Sequence, residues 1–112
     1  MKPGEVVRVS LPESDGKVRS RPALLIKKIP PYNDWLLCAI SSGKHLEQKG
    51  LDIMIDVKHS DFISSNLKFP GLIRTGFLFT IPESSIEGKM GTLSESTMVT
   101  VINNLVFFLK TK

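Results

Sequence analysis

The sequence predicts a mainly β domain of the α+β class, a small barrel of short strands with one C-terminal α-helix. Three observations predict it. Apolar runs of four to ten residues recur between Pro- and Gly-bearing turns. The hydrophobic period changes from 2 to 3.6 only after Ser94. The chain has 112 residues, enough for one core but not two. No repeat or linker-like stretch interrupts it, so residues 1–112 are expected to form a single domain.

The first strand is read at Glu5–Leu11, where Val7, Val9 and Leu11 share a face. Pro12 ends it, and Ser14-Asp15-Gly16 supplies turn chemistry. A basic loop with Lys17, Arg19 and Arg21 leads to Pro22 and a short run, Ala23–Ile26, apolar on both faces. Pro30-Pro31-Tyr32-Asn33-Asp34 is the next turn, since two prolines fix φ and remove two donors. Trp35–Ile40 is another buried strand, ending at Ser41-Ser42-Gly43. Leu51, Ile53, Ile55 and Val57 alternate with polar or longer residues, which predicts a strand over 51–57. Leu72–Ile81 is apolar and aromatic, with Gly76 placed to make a bulge and Pro82 to close it. Lys89–Leu93 adds a last short strand. Ser94 is the expected N-cap of the helix, with Leu93 and Met98 as a hydrophobic staple. Met98, Val101, Ile102, Leu105, Phe108 and Leu109 make its inward stripe; Val99, Val106 and Phe107 fall outside it and call for a second covering surface.

Hydrophobic residues make up 41% and charged residues 23%, which excludes a disordered or low-complexity chain. Fifteen Lys and Arg against eleven Asp and Glu give +4, a modest excess that suits polyanions or acidic partners. A single cysteine forms no intramolecular disulfide. The N-terminus lacks an apolar signal region, and no apolar run approaches the roughly 20 residues of a membrane span. A cytoplasmic protein with no membrane association is expected.

Metal and nucleotide-loop chemistry find no pattern. His45, His59 and Cys38 lack ligand spacing, and both histidines read as solvated loop residues. Gly88–Thr92 lacks the glycine spacing and the Lys-Ser/Thr pair of a phosphate loop. The informative constellation is the basic loop entering Arg21-Pro22-Ala23 and the serine pair ending the strand at Ile40. A guanidinium donates two parallel charge-assisted hydrogen bonds to phosphate and stays charged at any working pH. A serine at a strand end can bond a scissile phosphate.

Taken in order, these segments resemble the PemK/MazF family, the toxins of bacterial type II toxin–antitoxin systems. Gly4-Glu5-Val6-Val7 is similar to the opening G-D/E-V-V, and Ser14-Asp15-Gly16 followed by Arg21-Pro22-Ala23-Leu24 to the first loop and its R-P-A-L/V. Cys38-Ala39-Ile40-Ser41-Ser42 resembles C-x-I-T/S-S. Ser60-Asp61-Phe62, Leu67–Arg74, Phe79-Thr80-Ile81 and Gly88–Ser94 complete the series, so the resemblance covers nearly the whole chain.

The resemblance implies a homodimer of Src-homology-3-like barrels that cleaves single-stranded RNA by attack of the 2′-hydroxyl, with no metal or other cofactor. It places the catalytic roles on Arg21 and Ser41, and RNA binding on Lys17, Arg19, Ser42 and Arg74. It implies neutralisation by a cognate antitoxin, with operator DNA reached only through the antitoxin complex. Two departures stand out. Thr75-Gly76 occupies the place where the family often has a hydrophobic residue and Asp, and Phe79-Thr80-Ile81-Pro82 the place of an R-T-I/L-D stretch. No general base is named by the sequence. The alternative reading is therefore a catalytically weak or inactive barrel that binds RNA or antitoxin. A peptide-binding adaptor is disfavoured, because Trp35 falls inside an apolar run.

Overall fold

The computed structural model describes residues 1–112. Six antiparallel strands form one sheet: β1 (Glu5–Pro12), β2 (Val18–Ile29), β3 (Asp34–Ser42), β4 (Ile53–Ile55), β5 (Gly71–Pro82) and β6 (Ile86–Thr92). Their order is β4-β5-β3-β2-β1-β6. The edge strands β4 and β6 do not pair, so the sheet curls into a half-barrel rather than closing. Two helices, α1 (Phe62–Ser65) and α2 (Glu95–Lys110), complete the chain. No helix is long and apolar enough to cross a membrane.

Alternation along the strands builds a core on each face. Val6, Leu24, Ile26, Cys38, Ile40, Ile55 and Ile73 face the helices and pack with Leu67, Leu93 and Val101. Val7, Val9, Ala23, Leu25, Trp35, Leu37 and Ile86 make the other core, with Phe79 and Ile81 against its margin. Trp35 is fully buried there, and its Nε1–H donates to Glu83 at 2.9 Å.

The β1–β2 hairpin turns where Gly16 adopts φ +83°, a conformation glycine reaches without a Cβ clash. Glu13 N–H donates to Lys17 O at 2.7 Å and Gly16 N–H to Glu13 O at 3.0 Å, closing the turn. In β5 a wide bulge leaves Thr75, Gly76 and Phe77 without partners, since Arg74 lies opposite Ala39 and Leu78 opposite Cys38.

Several expected boundaries shift. β2 begins at Val18 and takes in the basic loop, because the tight turn carries the hairpin ladder down to Pro12–Val18. The strand expected over 51–57 shortens to Ile53–Ile55, since β5 offers partners only from Gly71 to Ile73. The four-residue α1 lacks a full helical period in the sequence and was not anticipated by it. Met98, Val101 and Leu105 turn inward as expected, but Ile102, Phe108 and Leu109 are 38%, 48% and 66% exposed. The sheet beneath α2 accommodates one narrow line of side chains, and the rest of the stripe stays outside.

Asp61 fixes the start of α2. Its carboxylate is almost fully buried and accepts from Ser94 N–H and Ser94 Oγ–H, both at 2.9 Å. Ser94 Oγ in turn accepts from Thr97 N–H, as an N-cap should. Burial raises the Asp61 carboxyl, but hydrogen bonds from Thr97 and Ser94 and the nearby His59 outweigh it and hold it below the usual aspartate range. A depressed carboxyl stabilises the fold above its unfolded-state value of about 3.9 and ceases to do so as pH falls through the lower folded value. Asp61→Ala should therefore cost about 2 kcal/mol at pH 7, the scale of charged hydrogen bonds to a buried acceptor. Urea unfolding at pH 7 and pH 3 checks this: the gap between variant and wild type should narrow at the lower pH.

Candidate active site

Three of the residues singled out in the sequence meet on the face of the Trp35 core, at the end of the sheet away from Trp35 itself. Arg21 lies opposite Val9 of β1, and Arg74 lies opposite Ala39 of β3. The β2–β3 register sets Ala23 against Ala39. The ladder ends there, and Arg21 and Ser41 follow two residues further along their strands, on the same face as Ala23 and Ala39.

Ser41 Oγ is buried and has no hydrogen-bond partner. Buried hydroxyls are nearly always paired, so a lone one on the face that carries Arg21 and Arg74 lacks a partner that a bound group could supply. Thr75 Oγ1, in the β5 bulge, is the other such atom.

Arg21 is held by a carboxylate that the sequence reading passed over. Its Nε and Nη2 both lie 2.7 Å from Glu13 Oε1, across the hairpin. A guanidinium has five N–H donors. Glu13 engages two of them, which leaves three for a ligand. Glu13 could have been found from the turn at 14–16: pairing across it sets Glu13 against Lys17 and Val9 against Arg21, so odd-numbered residues share one face.

Arg19 donates from Nη2 to Asp15 Oδ2 at 3.0 Å, and Lys17 N–H donates to Asp15 Oδ1 at 2.9 Å. The Lys17 bond and then Arg19 lower the Asp15 carboxyl. The Lys17 ammonium projects from the turn. Ser42 points to the opposite face from Ser41, as strand neighbours do, and its Oγ accepts from Lys44 N–H at 3.2 Å. Ser42 thus does not join the cluster, and Lys17 and Arg19 stand with Asp15 at the hairpin turn.

Arg74 lines a cleft of about 580 Å³ with Leu46, Gln48, Asp52, Phe77 and Phe108, and its guanidinium carbon lies 5.4 Å from the Phe77 ring centroid. Phe77 reaches this cleft because the bulge frees it from the ladder, and Leu78, opposite Cys38, borders it. The exposed apolar residues of α2 continue the same surface: Val99, Ile102, Val106, Phe107, Phe108 and Leu109. The Cys38 thiol is buried in the helix-side core, and burial, with Asp52 adding, pushes it up to about 12. It is not a nucleophile at neutral pH.

The sequence matches the model of a known family. Residues 2–109 fit the model for PemK-like, MazF-like toxins of type II toxin–antitoxin systems. The chain belongs to that family. No functionally curated protein matches the sequence. Among solved structures, the Mycobacterium tuberculosis toxin MazF-mt6 superposes with a TM-score of 0.71 at 14% identity, over 96% of this chain and 98% of that one. An endoribonuclease solved with its cognate antitoxin, from a mycobacterial species, gives 0.70 at 11% identity, over 100% and 97%. MazE–MazF from Deinococcus radiodurans gives 0.67 at 14% identity, again over 100% and 97%. At such identities these likenesses establish the half-barrel fold of this PemK-like chain. Its site chemistry rests on its own residues.

Proposed function

We propose that this toxin-family protein is an endoribonuclease that cleaves single-stranded RNA without a metal ion. The observation that carries the reading is the unpartnered Ser41 hydroxyl on the face of the sheet that also carries Arg21 and Arg74. RNA brings its own nucleophile, the 2′-hydroxyl, so the protein has to align that oxygen with phosphorus and stabilise the charge that builds on the phosphorane. Arg21 stabilises that charge with the donors Glu13 leaves free. Ser41 bonds a phosphate oxygen and sets the in-line geometry. Arg74 supplies a second positive charge one strand away, and Lys17 and Arg19 extend the phosphate track along the hairpin.

The experiment is cleavage of a long unstructured RNA by the purified protein with EDTA present. Cleavage that persists in EDTA and is absent on DNA of the same sequence supports the reading. Intact RNA under conditions where the protein binds it supports a second reading, a barrel that recognises RNA without cutting. The Glu13 carboxylate on Arg21 favours that second reading, because it competes with phosphate for the guanidinium.

The protein acts in the cytoplasm as a homodimer and is neutralised by a cognate antitoxin, with operator DNA contacted through that complex. The dimer reading is supported by the exposed stripe of α2, where Phe107 alone is 69% exposed in one chain. Apolar patches of this extent are uncommon on stable monomers. Light scattering at micromolar concentration should give twice the chain mass for wild type and a shift toward one chain mass for Phe107→Ser. A wild-type monomer overturns it.

A further inference from the structure

The end of β3 carries a second group with site chemistry. The β2–β3 ladder stops at Ala23–Ala39, and beyond it the carbonyl of Ser42 is taken by His45. Both His45 N–H, at 3.0 Å, and the ring Nδ1, at 3.2 Å, bond this one oxygen. The direction of that oxygen follows from the next amide. Gly43 N–H donates to Pro70 O at 2.9 Å, on the β5 side of β3. A trans peptide points its N–H and C=O in opposite directions, and the Ser42–Gly43 bond is trans. The Ser42 carbonyl therefore points away from β5, to the β2 side of β3. His45, bonded to it, stands on that side of the residue that follows Ser41, past the point where the β2–β3 ladder stops.

The contact also fixes the proton on the ring. A carbonyl oxygen only accepts, so Nδ1 carries the hydrogen in the neutral imidazole and Nε2 is left with its lone pair. We propose that His45 is the general base of the RNA cleavage reaction, taking the 2′-hydroxyl proton on Nε2. This rests on the endoribonuclease reading above and supplies the group that Arg21 and Ser41 cannot. Guanidinium is too weak an acid and serine too weak a base to move that proton near neutral pH.

The step balances without a co-reactant. The 2′-hydroxyl gives its proton to Nε2 as its oxygen bonds phosphorus. The bond from phosphorus to the 5′-oxygen breaks, and its electron pair leaves on that oxygen, which takes a proton from solvent. The products are a 2′,3′-cyclic phosphate and a 5′-hydroxyl, and the imidazolium returns its proton to solvent. The charged groups around this end of the sheet are Lys44 and Glu47 on the loop of His45, Glu13, Asp15, Lys17, Arg19 and Arg21 on the hairpin, and Asp52 and Arg74 at the cleft. No carboxylate is hydrogen-bonded to the ring.

The test compares wild type, His45→Asn and His45→Ala over pH 5–9 on a single-stranded RNA oligonucleotide in EDTA. Asparagine can keep a donor on the Ser42 carbonyl but has no base. The expected result is a loss of about a hundredfold or more in His45→Asn, the usual scale of a general base, together with disappearance of the acid limb seen in wild type. Free imidazole should restore His45→Ala by about tenfold or more. A wild type that cuts while His45→Asn keeps its rate within about twofold overturns the proposal. So does a slow variant that retains the acid limb and ignores imidazole, since His45 would then only shape the loop. A wild type that leaves RNA intact overturns the endoribonuclease reading itself, and this proposal falls with it.

Discussion

Arg21→Ala is expected to reduce RNA cleavage about a hundredfold or more while leaving the fold intact, the scale set by removing one preorganised donor from a developing oxyanion. The two halves of that expectation have separate causes. The guanidinium is half-exposed and bonded to Glu13, and exposed ion pairs contribute about 1 kcal/mol or less to stability. Losing it leaves only a partly exposed carboxylate, which water can solvate. At the site, by contrast, a methyl group offers nothing to the phosphorane, and the Arg74 guanidinium is held over Phe77 in the neighbouring cleft. Arg21→Lys should recover little, because an ammonium has no planar fork to meet two phosphate oxygens. Single-turnover cleavage rates beside thermal unfolding curves provide the check. Wild-type rates in a folded Arg21→Ala protein would leave Arg21 as an ordinary surface residue.

Gly91→Ala is expected to be the most destabilising single methyl in the chain. A Cβ at Gly91 would lie 2.2 Å from Ser64 O and 2.6 Å from both the carbonyl carbon and the oxygen of Ser65. These are main-chain atoms of α1, so no rotamer change relieves the overlap. Helix α1 would have to lift off β6, and it cannot move alone. Ser64 Oγ donates to Thr92 O at 2.9 Å, and Asp61, just before α1, holds the N-terminus of α2. Overpacked sites cost about 1–3 kcal/mol, and a rigid neighbour places this one at about 3 or above. For a domain of this size that is a fall in Tm of about 10 °C or more. Gly88→Ala, with nothing within 4 Å of the added carbon, is the matched control on the same strand. Equal melting temperatures for the two variants would show that α1 is loosely attached.

The sequence made the strands and their turns legible where chemistry is local: proline at 12, 30, 31 and 82, glycine at 16, and the change of period after Ser94. It also pointed to Arg21 and Ser41, whose residue types suit phosphate wherever they stand. What it could not show depends on distant pairing. β4 shrinks because β5 pairs with it only over Gly71–Ile73, and α2 leaves Ile102, Phe108 and Leu109 outside because the sheet below is narrow. Glu13 and His45 escaped for a related reason. Each becomes part of the site through a backbone reversal, one at Gly16 and one after Gly43, that sets it beside a residue eight or three positions away. His45 in particular carries no sequence pattern; its place is set by the direction of a single carbonyl.

The β5 bulge has a consequence in the arithmetic of odd and even. Its three unpaired residues are an odd insertion, so the strand changes phase as it passes through. Before the bulge, odd-numbered Ile73 faces the helices; after it, odd-numbered Phe79 and Ile81 face the opposite core. The same phase change lets Arg74 stand on the site face while Phe79, five residues later, lies on that face as well. The face of each flanking residue is set by its partner on β3, Arg74 by Ala39 and Phe79 by Leu37, so the looped-out residues carry the whole change of phase and leave the ladder on either side in register.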